Sequence, residues 1–331
     1  MRIAGFALAL SVIGVCARTT YPPRAAVQDP SADLAIQNLA DLQLDPSLQA
    51  ELSEAMGRRD YPRAETILVA EAERDPKSAR TAKLLSMAGG VFFLDGKYLN
   101  SAIAWKKAEA IAPLDERSRF TLAMAYIKLH RGDWARTELE KLVVSAPEKP
   151  LYLYWLARLD YDTQSYAMAI ARLHKIVEMD PNMMRAYDTL GLCYDYLGQF
   201  DEAIRNYTIA ADLNRRQLKP SPWPHLDLAI SLISVNRVPE AEKSAREAVK
   251  YEPRLAQAHY QLGRVLEMQG SLQEAVQELN QAAALEPSYP EPHLLLGRIY
   301  HRLGQAQPAQ AEIERYQKLK KAATTSVPPS N

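Results

Sequence analysis

The sequence predicts an all-α solenoid of about eight helix-turn-helix hairpins, and three observations predict it. Small residues recur at one interval: Gly89, Ala123, Ala157 and Gly191 are each 34 residues apart, as are Ala229, Gly263 and Gly297. A second small set keeps that interval, at Ser101, Ala135, Ala169 and Ala203, then Ala241, Ala275 and Ala309. Prolines supply the third set, at Pro113, Pro147 and Pro181, then Pro253 and Pro287. All three sets shift by four residues between Gly191 and Ala229, which places one insertion near 215–224. Self-similarity at a period of a few tens of residues marks a repeat array.

The hairpins start near residues 45, 82, 116, 150, 184, 222, 256 and 290. Each consists of a helix A and a helix B packed antiparallel. The small residue at position 8 of helix A and the alanine at position 20 of helix B mark where the two approach most closely. A larger side chain there would push the axes beyond the usual spacing of about 8–10 Å. Large apolar residues at positions 7, 11, 24 and 27 fill the space beside them. Glycine at position 15 supplies the left-handed backbone that ends helix A. Pro62, Pro239 and Pro308 open helix B, where a missing N–H costs little. Proline at position 32 stops helix B. The first hairpin is degenerate, with Leu52 at position 8 and 37 residues separating it from Gly89. No hairpin can bury its apolar face alone, so stability comes from neighbour contacts. Residues 305–321 are dense in Gln, Glu, Arg and Lys and suit a terminal cap. Lys318, Lys320 and Lys321 stand at the negative end of its dipole. The array is expected to run over 45–320, with 321–331 a disordered tail.

The segment Ala256–Pro287, AQAHYQLGRVLEMQGSLQEAVQELNQAAALEP, places Leu262, Gly263, Gly270, Ala275, Ala282 and Pro287 in one pattern. Residues 184–214 repeat it with Leu190, Gly191, Tyr194, Gly198, Phe200, Ala203, Tyr207 and Ala210. In these positions the chain resembles the tetratricopeptide-repeat (TPR) family, over residues 45 to about 320. The resemblance implies a right-handed superhelix whose helices A line a concave groove, chiefly through positions 2, 5, 9, 12 and 13. Read residue by residue, those positions give the candidate partner-binding set Tyr154, Arg158, Tyr161, Asp188, Asp195, Tyr260, Arg264, Glu267, Arg298 and His301. Phe120, Met124, Ile127, Leu226, Ile230 and Ile233 make apolar stretches among the same positions. Tyr and Arg are enriched at binding hot spots, and Arg158, Arg264 and Arg298 share position 9. The lysine and asparagine of the family's carboxylate clamp are absent: position 5 reads Ser86, Phe120, Tyr154, Asp188, Leu226, Tyr260 and Leu294, and position 9 holds no asparagine. The asparagine ladder of sugar-transferring relatives at position 6 is absent as well.

No phosphate-cradling loop, nucleophile elbow or His-Glu-x-x-His pair occurs, and no run is left over for a catalytic domain. A non-catalytic scaffold for a protein or peptide partner is the expected function, without cofactor or metal. His225, His259 and His293 share position 4, but adjacent helices hold equivalent atoms about 8–10 Å apart. Zinc needs its ligands within about 2 Å of one ion. Lys+Arg and Asp+Glu both number 40, so no global field draws in nucleic acid.

Met1 and Arg2 precede an apolar run from Ile3 to Val15, the layout of an export signal over residues 1–17. Cleavage after Ala17 gives a secreted or periplasmic protein. A second reading stays open, since Ile13-Gly14-Val15-Cys16 resembles the lipobox of bacterial lipoproteins, with Val15 where that motif has a small residue. It makes Cys16 a lipid anchor and would tie the protein to a membrane. An uncleaved anchor is the third reading. Residues 18–44 read as a proline-bearing linker with a short helix over 31–44. Cys193, inside a helix, is expected to be a buried hydrophobe. Exported TPR proteins of this layout resemble envelope adaptors, for outer-membrane assembly, pilus secretion or cell-wall enzymes. A structural subunit of such an assembly is the rival, and a ligand-binding or enzymatic groove the remoter one.

Overall fold

The computed structural model describes residues 39–325. The expected export signal, Cys16, most of the expected linker and residues 326–331 lie outside the described residues. Sixteen α-helices follow a short 3-10 turn at Leu39–Leu42, with no strand among the described residues. The hairpins are α1 (Pro46–Gly57) with α2 (Tyr61–Glu73), α3 (Ala79–Leu94) with α4 (Tyr98–Glu109), and α5 (Glu116–Lys128) with α6 (Gly132–Ser145). They continue as α7 (Pro150–Asp162) with α8 (Tyr166–Met179) and α9 (Met184–Tyr196) with α10 (Phe200–Asn214). The last three are α11 (Trp223–Ser234) with α12 (Val238–Tyr251), α13 (Ala256–Gln269) with α14 (Leu272–Leu285), and α15 (Glu291–Arg302) with α16 (Ala306–Thr325). The all-α class and the hairpin register are those the sequence period demands.

The chain forms two compact bodies, dividing after Ala125 inside α5. In the N-terminal body, Leu52, Leu68, Leu84, Met87 and Val91 are completely buried together. Leu42 and Leu44 join that cluster, so the end of the expected linker is part of the core. Arg80 fastens it, donating from Nε to the Leu42 carbonyl at 3.0 Å and from Nη2 to Glu71 at 2.7 Å. The 3-10 turn thus covers apolar surface that the first hairpin would otherwise expose. In the C-terminal body, Leu153, Leu173 and Ile176 share one cluster with Leu190 and Cys193, and Ala203 and Tyr207 share another with Leu228 and Ala241. Ala229, Leu262, Leu279, Leu296 and Ile299 continue the core to the last hairpin.

Position 15 has the same backbone in every hairpin. Gly96, Gly198, Gly270 and Gly304 have φ between +72° and +85°. Arg59, His130, Gln164 and Asn236 hold φ between +56° and +60° without being glycine. The turn therefore imposes the left-handed conformation even where a Cβ opposes it, at about 1–2 kcal/mol for such residues. Position 8 also differs in detail from expectation. A Cβ on Gly191 would stand 2.5 Å from the Tyr207 ring, and one on Gly89 2.7 Å from the Trp105 ring. The residue crowding position 8 is thus the large side chain at position 24, with the position-20 carbonyl next, as at Gly263 (Ala275, 3.3 Å).

Across the insertion, α10 and α11 pack against each other. Asn214, fully buried, donates from Nδ2 to the Ser221 carbonyl at 2.7 Å and accepts from Ser221 N–H at 2.8 Å. This pins the loop and leaves Leu218 fully exposed. The last helix runs to Thr325, into the segment 321–331 expected to be a tail.

Candidate partner-binding face

Within the C-terminal body, α7, α9, α11, α13 and α15 touch one another in chain order. The expected site residues therefore share one succession of helices A, but they divide by burial. Tyr154 and Asp188 are buried, as are Leu226 and Ile233. These are packing residues, a correction to the sequence reading. Tyr154 is stacked instead, with Trp155 edge-on at 5.9 Å and the Arg185 guanidinium 5.7 Å over its ring. Asp195 is half-buried and structural. It accepts from Ser231 Oγ at 2.7 and 2.8 Å and from Tyr207 OH at 3.2 Å, bridging α9, α10 and α11. Burial raises its carboxyl to about 6, against the pull of those hydrogen bonds.

The accessible residues form two patches. The first is aromatic. Tyr166 and Tyr196 stack at 5.3 Å with ring planes 15° apart, and Tyr161 meets both edge-on at 5.8 and 5.7 Å. Arg158 lies 5.2 Å over Tyr161 and 3.7 Å from Asp162. Tyr196 is 55% exposed. Sequence reading named Arg158 and Tyr161 but missed Tyr196, at position 13, and Tyr166, which opens helix B beside them. The second patch is basic. It holds Arg264, Arg298 and His301 from the expected set, with Arg302 added by the structure. Glu267 and Tyr260 lie within it. Arg264 donates to Gln261 at 3.0 Å, and Glu267 pairs with Arg298 at 3.2 Å and Arg302 at 2.7 Å. Tyr260 meets Tyr289 edge-on at 5.3 Å.

Two of the position-4 histidines, His259 and His293, are bonded within their own hairpins, whereas the buried Nε2 of His225 has no hydrogen-bond partner. His259 and His293 approach Glu278 and Glu312 through Nδ1, both at 2.6 Å. His259 Nε2 also meets the Pro253 carbonyl at 3.0 Å. Two acceptors on one imidazole require two N–H groups, which is the charged form. The Glu278 hydrogen bond accordingly raises the His259 pKa, with burial opposing it. A raised histidine stabilises the fold below the unfolded value of about 6.5 and loses that contribution as pH rises through the folded value. Melting of the wild type relative to His259→Gln should therefore lose part of its advantage on going from mildly acidic to alkaline pH. A difference independent of pH would remove the charged pair. His225 is the opposite case: burial lowers it to about 4, and its ring lies 5.3 Å from Tyr251. Cys193 is a buried thiol pushed up to about 12 by burial, the inert residue expected.

Asp160 escaped the sequence reading. It is 1% exposed and takes Arg136 of α6 at 2.8 Å and Arg172 of α8 at 2.7 Å. The signal was present: it occupies position 11, where the other hairpins carry residues such as Phe92, Tyr126, Tyr194, Leu232, Leu266 and Tyr300.

Comparison with known proteins agrees with this architecture. Three family profiles, each described as a tetratricopeptide repeat, match residues 185–217, 226–291 and 266–322. Cell division cycle protein 27 homolog A of Arabidopsis thaliana is 30% identical over 112 residues, which are 33% of this chain and only 15% of that protein. A tetratricopeptide repeat protein from Parabacteroides merdae superposes with TM-score 0.59 at 16% identity, covering 83% of this chain and 99% of that one. PilW, described as a widely conserved type IV pilus biogenesis factor, superposes with TM-score 0.54 at 18% identity, covering 61% and 92%. The repeat period, the hairpins and these matches together make the chain a tetratricopeptide-repeat protein.

Proposed function

We propose that the protein is a non-catalytic interaction scaffold that holds a segment of a partner protein along the helices A of its C-terminal body. The observation that carries this is the placement of Tyr161 and Tyr196, with Tyr166 of α8 packed on them, and of the arginine patch along one succession of touching helices A. Exposed tyrosine gives broad apolar contact at low ordering cost, and arginine adds directed hydrogen bonds. The export signal supports a place in a bacterial envelope, periplasmic or secreted, or membrane-bound through Cys16. Loss of membrane association on Cys16→Ser would select the lipid-anchored form.

The test uses a peptide selected on the full chain from a random display library. Tyr161→Ala with Tyr196→Ala should weaken it on the order of tenfold or more while melting stays unchanged. Trp134→Ala with Met168→Ala, on helices B, should leave affinity intact. The reverse pattern would move the site.

One observation favours a second reading, a structural subunit that assembles through helices B. Leu99 and Ile103 on α4, Trp134 and Val144 on α6, Met168 on α8 and Ile209 on α10 are exposed, Val144 by 83%. Scattered singly, such residues are ordinary on a protein surface.

A further inference from the structure

The basic patch on α13 and α15 is out of charge balance. Glu267 is shared by Arg298 and Arg302, one guanidinium on each carboxylate oxygen. Arg264 bonds a neutral amide, Gln261, and has no carboxylate within ion-pair reach among the described residues. The two helices thus carry three guanidiniums, of which two share one carboxylate and the third has none, with exposed His301 on the same helix as Arg298 and Arg302. Glu291, the other acid near Tyr260, lies 3.9 Å from Lys320. Tyr260, on α13 one turn before Arg264, is raised by burial, and α13 packs against α15, which carries Arg298 and Arg302.

Glu267 displays what the patch accepts. Its side chain is 11% exposed and gripped by separate arginines, while Arg298 and Arg302 remain 60% and 50% exposed. Guanidinium forks match the planar carboxylate and retain unused N–H donors here. The repeat then sets a spacing. Arg264 and Arg298 hold the same position on adjacent helices A, whose axes lie about 8–10 Å apart. In a polyproline-type extended segment every third side chain returns to the same side after about 9 Å. Acidic residues three apart on such a segment would reach both arginines, with the Tyr260–Tyr289 pair offering aromatic surface to intervening prolines.

We propose that the α13–α15 face takes an extended acidic peptide, whose carboxylates, three residues apart, seat on Arg264, Arg298 and Arg302. This deepens, and rests on, the reading of helices A as the partner-binding face. Exposed ion pairs are individually weak, so binding needs several at once and falls as salt screens them.

The experiment titrates full-length protein into two fluorescent peptides, four repeats of Glu-Pro-Pro and the same chain with Gln in place of Glu. The acidic peptide should bind about tenfold or more tightly than its neutral counterpart, and less tightly as salt rises. Arg264→Gln with Arg298→Gln should weaken it by about tenfold. Glu267→Gln removes the internal competitor and should tighten it, an effect that loss of folding cannot imitate. Equal binding of the two peptides, no binding of either, or weaker acidic binding in Glu267→Gln would overturn the proposal. If a library-selected peptide still depended on Tyr161 and Tyr196, only the acidic chemistry would fall. If that dependence were missing too, the helix A reading would fall with it.

Discussion

Gly191→Leu should destabilise the middle of the C-terminal body by about 3 kcal/mol or more. Even a Cβ would lie 2.5–2.8 Å from three atoms of the Tyr207 ring. That ring is fully buried, and its hydroxyl is held by Asp195, which also holds Ser231 of α11. Moving the ring breaks the Asp195 bridge; moving the helix opens α9 from α10. Because a repeat array is stabilised by neighbour contacts, the disturbance should reach α11 and its hairpin. Gly263→Leu repeats the test further along, where the added atoms meet Leu279 at 2.7 Å and the Ala275 carbonyl at 3.3 Å. Urea unfolding of the full chain measures both. Unchanged unfolding would contradict the helix register assigned to these repeats.

Asp160→Ala should cost about 3 kcal/mol, the lower end for breaking a buried ion pair. Both oxygens are used, by Arg136 at 2.8 Å and Arg172 at 2.7 Å, so one carboxylate ties α6, α7 and α8 together. Its removal leaves two guanidiniums facing each other. Their side chains keep 26% and 28% exposure, which lets water relieve part of the penalty and sets the lower end of the range. Asp160→Leu restores the apolar residue usual at position 11 and should still be destabilising, because the arginines remain. The triple change with Arg136→Leu and Arg172→Leu should recover stability, since a buried ion cluster is often replaceable by packed apolar groups. Thermal melting of the set checks this. Equal melting of wild type and Asp160→Ala would show that the cluster contributes nothing.

The fold was legible because its period is a packing requirement. Small residues at position 8 recur because a large residue at position 24 fills the space opposite, as Tyr207 does against Gly191. What the period hides is local compensation. Arg59, His130, Gln164 and Asn236 adopt the glycine backbone without glycine's sequence mark. Leu42 and Leu44 belong to no repeat, yet they close the core of the first hairpins. The partner face was legible by register and not by exposure. Tyr154 and Asp188 occupy a face position, but neighbouring helices bury them. Tyr166 was invisible from helix A alone, since it joins Tyr161 and Tyr196 from the start of helix B. Asp160 was conspicuous at an apolar position, but its partners lie 24 and 12 residues away, on two other helices.

The most direct test of the account is site-specific photo-crosslinking of the full chain in its native cell. A crosslinker replaces Tyr196 or His301 on the helix A face in one set, and Val144 or Met168 on helices B in the other. The account predicts a crosslink to a different protein from the helix A positions, suppressed by a peptide that binds that face. Crosslinks between copies of this chain from Val144 and Met168, with nothing captured from Tyr196 or His301, would contradict it.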